Sequence, residues 1–178
     1  MSEEVKECFK IAEKEEKKGK KHKGLLKTDP SIENAKQYLI KAKECLKFCG
    51  VYKQLNADYK IPEEWYYALY YCALAIISKF GVESRSQRCT ALFLRYTKDK
   101  GLINYDDEFI KRIMVYKEKD KKTDVDQREE ARYSPKTKLE NVSKDYDKMM
   151  SICKNAISQA EEIVFSNKYF KVPEDLLE

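Results

Sequence analysis

The chain has 178 residues, 42% of them hydrophobic and 38% charged, with 13 Tyr and 7 Phe; that is enough for one domain with a real core and excludes disorder throughout. Only five Gly and four Pro are present, too few for an all-β fold that turns every ten residues, so an all-α fold is expected. The net charge of +5, from 36 Lys+Arg against 31 Asp+Glu, permits contact with nucleic acid without requiring it, and a surface rich in Lys and Glu also suits a protein adapted to heat.

The chain opens with "MSEEVKECFK", which is charged and carries no apolar h-region. The longest apolar run, "WYYALYYCALAII" at 65–77, has thirteen residues, whereas a membrane span takes about twenty. A cytoplasmic protein with no membrane contact is expected.

A first helix is predicted over 3–18, apolar only at Val5, Cys8, Phe9, Ile11 and Ala12. "KKGKKHKG" (17–24), with five lysines and two glycines, reads as a solvated break; it could touch phosphate, but it lacks aromatics on which bases would stack. In "TDPSIENAKQYLIKAKECLKFC" (28–49), Thr28 or Asp29 can cap and Pro30 suits a first turn. Ile32, Ala35, Leu39, Ala42, Leu46 and Cys49 then recur at spacings of three and four, the mark of an amphipathic helix.

The stretch 61–81 begins with Pro62 and acidic residues, stops at Gly81 and is apolar on every side between, which predicts a helix at the centre of a bundle. Ser84 or Ser86 can cap the next helix, to about Thr97, carrying Cys89, Ala91, Leu92, Leu94 and Tyr96. Asn104 is a plausible cap for another, with Asp106 and Asp107 in its first turn and Phe109, Ile113 and Tyr116 facing inward. "KEKDKKTDVDQREE" (117–130) has no apolar period and reads as a loop or frayed helix ends. The longest helix, about 138–168, keeps a three-four stripe of Val142, Tyr146, Met149, Cys153, Ala156, Ala160 and Ile163. "VPEDLLE" closes the chain as a short turn or helix. The expected architecture is an up-and-down bundle of five to six helices around 61–81.

Few catalytic templates survive inspection. No glycine-rich loop opens a helix at phosphate-binding spacing. His22 is the only histidine, and its place in the lysine-rich break removes core Ser-His-Asp and Cys-His arrangements. Cys45 and Cys49 share a helix face, as two metal ligands would, but no second Cys/His pair accompanies them. The six cysteines are expected to be core thiols, and neither a metal nor a cofactor is expected. The remaining groups are arginines and tyrosines. Arg85 and Arg88 lie at the start of a helix, and Arg128 and Arg132 are four apart in "REEARYSP". Guanidinium groups hold phosphate bidentately and tyrosines stack on bases; equally, the arginines can pair with neighbouring Glu while the tyrosines fill a core or a dimer interface.

"WYYALYYCALAIISKFGVESRSQR" at 65–88 resembles the HEPN superfamily, in a small prokaryotic branch with a helix of the type A-Y-Y-A-x-Y-H-A-x-L-A-L-L followed by K-x-G-x-E-S-x-x-H. Tyr66, Tyr67, Ala68, Tyr70, Leu74, Ala75, Lys79, Gly81, Glu83 and Ser84 match. "ENAKQYLIKAKECLKF" looks like that branch's first core helix and "REEARY" like its R-x-x-A-x-Y segment. The resemblance spans about 24–166. It implies a HEPN-like bundle at 24–168, set between a charged helical extension at 1–23 and a tail at 169–178. It further implies a homodimer and a nucleotidyltransferase-like protein partner in a toxin–antitoxin pair. Many members are metal-independent ribonucleases that use an Arg followed four to six residues later by His. Here Arg128 takes the arginine's place and Glu129 the polar position, but Tyr133 or Ser134 falls where the histidine should be; Tyr71 and Gln87 replace the branch's other histidines. A tyrosine of ordinary pKa near 10 is a poor base at neutral pH.

The expectation is a non-catalytic HEPN-domain protein that binds nucleotide, RNA or a partner through Arg85, Gln87, Arg88, Arg128, Arg132, Tyr133 and Tyr71. The alternatives are a structural homodimer or antitoxin-complex subunit without nucleic-acid binding, and a divergent ribonuclease.

Overall fold

The structure, a computed structural model, describes residues 2–114, 124–136 and 139–177. In chain order the elements are α1 (Ser2–Glu16), β1 (Leu25–Lys27), α2 (Ile32–Gln54), a 3-10 turn at Asp58–Lys60, α3 (Ile61–Lys79), β2 (Val82–Ser84), α4 (Gln87–Asp99), α5 (Asp107–Ile113), α6 (Asp124–Tyr133), α7 (Glu140–Val164) and a last 3-10 turn at Glu174–Leu176. The protein is mostly helical, with a two-stranded sheet at one side. The described residues hold seven α-helices where five or six were expected, because the second half of the 117–130 charge run forms α6. The other half, 117–123, and the inward position expected for Tyr116 lie outside the described residues.

α3 is the central element. Its apolar length packs against α2, α4, α5, α6 and α7, and Ala68, Leu69, Cys72, Ala73, Ala75, Ile76 and Ile77 are fully or almost fully buried. All seven stripe residues expected on the last helix are buried in α7. On α2 the stripe holds at Ala35, Leu39, Ala42 and Cys49, but Ile32, at the first helical position, is 39% exposed.

The sheet was not expected. Leu25, Leu26 and Lys27 pair antiparallel with Ser84, Glu83 and Val82, and three residues are too few to show a period. The sheet moves two caps. The Thr28 amide donates to the Gly81 carbonyl at 2.8 Å, so the chain is still extended where Thr28 or Asp29 would have capped. Ser31 takes that role, its hydroxyl accepting from the Asn34 amide at 3.1 Å. Ser84 is likewise held in β2, leaving Ser86 to accept from the Cys89 amide at 3.3 Å. For α5 the cap is Asp106, accepting from the Glu108 amide at 2.9 Å, and not Asn104. Gly81 ends α3 with φ +74°, and a Cβ there would meet the Thr28 carbonyl; only glycine allows both the turn and the strand approach.

The segment 1–23, expected as an extension, contributes to the core: Val5, Cys8, Phe9 and Ala12 are buried, and Phe9 meets Phe93 of α4 edge-on at 6.3 Å. Two further expectations change. Cys8 and Cys89 are joined in a disulfide, their Cα atoms 5.9 Å apart, because α1 and α4 lie side by side; Cys45, Cys49, Cys72 and Cys153 are buried free thiols. His22 is 3% exposed rather than solvated, with its Nε2 3.2 Å from Glu83 Oε1 of β2. No described helix is long and apolar enough to cross a membrane.

Candidate functional site

Six of the seven expected site residues fall into two groups, and a run of tyrosines lies between them. The first group is on α6. Because 124–133 is helical, Arg128 and Arg132 share the face turned to the first turns of α3. Arg132 Nη2 donates to Glu63 Oε1 at 2.9 Å, with the arginine side chain 55% exposed. Arg128 behaves differently. Its guanidinium lies over the Tyr66 ring, 4.5 Å from the centroid, and near the Tyr67 ring at 5.9 Å. The Arg128 side chain is only 12% exposed, and its one carboxylate neighbour, Glu129, is 4.0 Å away. It donates no hydrogen bond to any described residue. Tyr133, which ends α6, is 79% exposed.

The second group is at the β2–α4 corner. Arg85 Nε donates to Glu83 Oε1 at 2.9 Å, and Arg88 Nη2 donates to Glu4 Oε1 of α1 at 2.9 Å. Gln87 is the first residue of α4 and half-buried. Burial works to raise the Glu83 carboxyl, but the hydrogen bonds from Arg85 and His22 outweigh it and hold its pKa below the ordinary carboxylate value. Both arginines are thus neutralised at short range.

Between the groups, Tyr66 stacks on Tyr70 at 5.9 Å, Tyr67 on Tyr71 at 5.8 Å, and Tyr71 on Tyr38 of α2 at 6.1 Å. The Tyr70 hydroxyl is 3.5 Å from Thr90 Oγ1, which donates to Ser84 Oγ at 2.7 Å. Lys41 stands over the Tyr38 and Tyr71 rings at 5.7 and 5.5 Å. Tyr71, the seventh expected residue, therefore sits in the run, its ring stacked with those of Tyr67 and Tyr38. Sequence reading missed Tyr38, Lys41 and Thr90 as neighbours. Tyr38 is visible in "ENAKQYLIKAKECLKF", but nothing in that string shows that it meets α3.

Tyr66 is completely buried and its hydroxyl has no partner among the described residues. Burial raises its pKa far above the ordinary tyrosine value; Tyr70 adds to this and Arg128 opposes it. At neutral pH it is a hydroxyl that can donate, not a base. Over the Tyr66 and Tyr67 rings, Arg128 presents donors that no described residue fills, an arrangement suited to an anion. His22, the chain's only histidine, lies instead on Glu83 of β2.

A groove of about 360 Å³ lies beside the run, between α2 and α3, lined by Lys41, Cys45, Phe48, Glu64, Tyr67 and Tyr71 among others. Cys45 lies against Glu64, and burial with that carboxylate pushes the thiol's pKa well up, as burial does for Cys49, to about 12; neither is a nucleophile at neutral pH. Among the described residues no group of three or more His, Cys, Asp or Glu could hold a metal ion. Comparison of the chain with protein-family models, curated proteins and solved structures finds no match.

Proposed function

We propose that this chain is a non-catalytic HEPN-like protein that binds a phosphate-bearing ligand, a nucleotide or the RNA backbone, at Arg128, as a component of a toxin–antitoxin-like pair with a nucleotidyltransferase-like partner. The HEPN reading rests on the resemblance at 65–88 and 128–133. The ligand class rests on one observation: of the four arginines expected at the site, Arg128 alone lacks a carboxylate at hydrogen-bonding distance among the described residues, yet its side chain is only 12% exposed and none of those residues fills its donors. A largely buried guanidinium in that state costs stability unless something accepts its hydrogen bonds.

The test is binding of labelled RNA and of a nucleotide by anisotropy at two salt concentrations, for wild type and for Arg128→Ala, Arg85→Ala and Arg132→Ala. Loss of a charge-assisted pair of about 1.5–3 kcal/mol weakens binding by Arg128→Ala roughly ten- to hundredfold and flattens its salt slope. The other two variants change little, and no RNA is cleaved. Equal binding by Arg128→Ala sinks the proposal, and Arg128-dependent cleavage replaces it with the divergent-ribonuclease reading.

A second reading, a homodimer or antitoxin-complex subunit that works through protein contact alone, is favoured by the exposed apolar residues of α2 and its C-terminal cap: Ile40 and Phe48 at 49%, Val51 at 46% and Leu55 at 69%.

A further inference from the structure

The N-terminal helix and the corner it covers are joined by a bond that the proposed phosphate site does not use. α1 packs on α4, on β1 and on the last 3-10 turn. It buries Val5, Cys8, Phe9 and Ala12 and, apart from the half-buried Ser2 and Ile11, otherwise presents charged side chains. Its polar tie to α4, Glu4 to Arg88, is between side chains 49% and 41% exposed and contributes little. A helix of fifteen residues is marginal in water on its own. Behind it run the five lysines of 17–24, held by His22 on Glu83 and by the Lys23 amide on a Glu15 carboxylate oxygen. Gly24 then passes so close under α1 that a Cβ there would run into the Cys8 carbonyl. The covalent tie, Cys8–Cys89, is at the middle of this contact.

We propose that Cys8–Cys89 is a redox clasp that sets whether α1 stays docked on α4. A dithiol reductant opens it by exchange: one reductant thiolate attacks a sulfur of the bond, the other cysteine leaves as a thiolate and takes up a proton, and the reductant's second thiol displaces the first cysteine and closes its own disulfide. A small-molecule disulfide reverses both steps. Cys8 and Cys89 are 1% and 4% exposed, so exchange follows a lifting of α1 and its rate reports that lifting. The four other cysteines do not compete. All are buried, and burial holds Cys45, Cys49 and Cys72 as thiols at neutral pH. Released, α1 uncovers Phe93, which is otherwise fully buried between Phe9 and Phe80.

The experiment is alkylation under denaturing conditions with mass analysis, paired with amide hydrogen exchange before and after dithiothreitol. Untreated protein yields four alkylated cysteines and reduced protein six. Reduction speeds exchange at 2–16 by about tenfold or more while α3 and α7 keep their protection. Cys8→Ser with Cys89→Ser reproduces the reduced pattern, and Gly24→Ala, which keeps both sulfurs, is reduced faster than wild type. The proposal is overturned if six cysteines react even after treatment with a small-molecule disulfide, or if exchange at 2–16 is unchanged on reduction. It is equally overturned if α3 and α7 lose protection together with α1, which would make the bond a staple of the whole fold.

Discussion

At the scale of single residues, the arginines divide by what their guanidinium groups meet. Arg85, Arg88 and Arg132 each meet a carboxylate at 2.9 Å, so an incoming phosphate would have to displace an existing partner. Arg128 meets ring faces, which fix its plane without using its donors. The Tyr66 hydroxyl is in a similar state, buried without an acceptor among the described residues. Tyr66→Phe keeps the ring that Arg128 lies on and removes only the oxygen. Because that oxygen meets no hydrogen-bond partner among the described residues, stability stays the same or rises by up to about 1 kcal/mol, while phosphate-ligand affinity is unchanged, the oxygen being buried out of a ligand's reach. Thermal melting and anisotropy on the same sample check both. A fall in Tm would mean that the hydroxyl is satisfied in solution, and a fall in affinity would mean that the oxygen reaches the ligand after all.

At the scale of elements, helix ends explain most of the difference between the expected boundaries and those observed. α7 has no side-chain cap of its own: its N-cap residue is Leu139. Asp58, in the 3-10 turn before α3, supplies one from a distance, its Oδ2 accepting from the Leu139 amide and from the Ser143 hydroxyl, both at 3.2 Å. Asp58 is 8% exposed, so its carboxylate spends its hydrogen-bonding capacity on these partners. Asp58→Ala is expected to cost about 1–2 kcal/mol, a fall in Tm of roughly 3–6 °C at this chain length, and Asp58→Asn, which keeps an acceptor, recovers most of it. An Asp58→Ala melt within about 1 °C of wild type would show that water replaces the cap at little cost. No sequence pattern announces this contact, since Asp58 and Leu139 are 81 positions apart. The three-four stripes of α2 and α7 could be read because burial of one face imposes a period.

At the scale of the whole molecule, an apolar face on α2 is left uncovered by the described residues. Ile40, Phe48 and Val51 project from α2, and Leu55 caps it, beside the α2–α3 groove. If that face joins two copies, the wild type sediments at twice its 21.0 kDa chain mass, and Val51→Glu, which places a charge in the contact, shifts it to the single-chain mass at micromolar concentration. A wild type that sediments as one chain at every concentration would remove the dimer from the proposal and leave the face to another partner.

The sequence by itself determined the helical class, the central position of α3 and the buried stripe of α7, because these depend on composition and on the 3.6-residue period within single segments. Through the resemblance it also offered Arg128 as a candidate, but not Tyr66, which it gave only as one matched position among ten. Tertiary structure decided the rest: the pairing of β1 with β2, the burial of His22 on Glu83, the Cys8–Cys89 bond, the Asp58 cap, and which arginine meets ring faces where the others meet carboxylates. Each of these joins residues distant in the chain, where no local period or propensity applies and only the packing of whole elements brings the partners within reach.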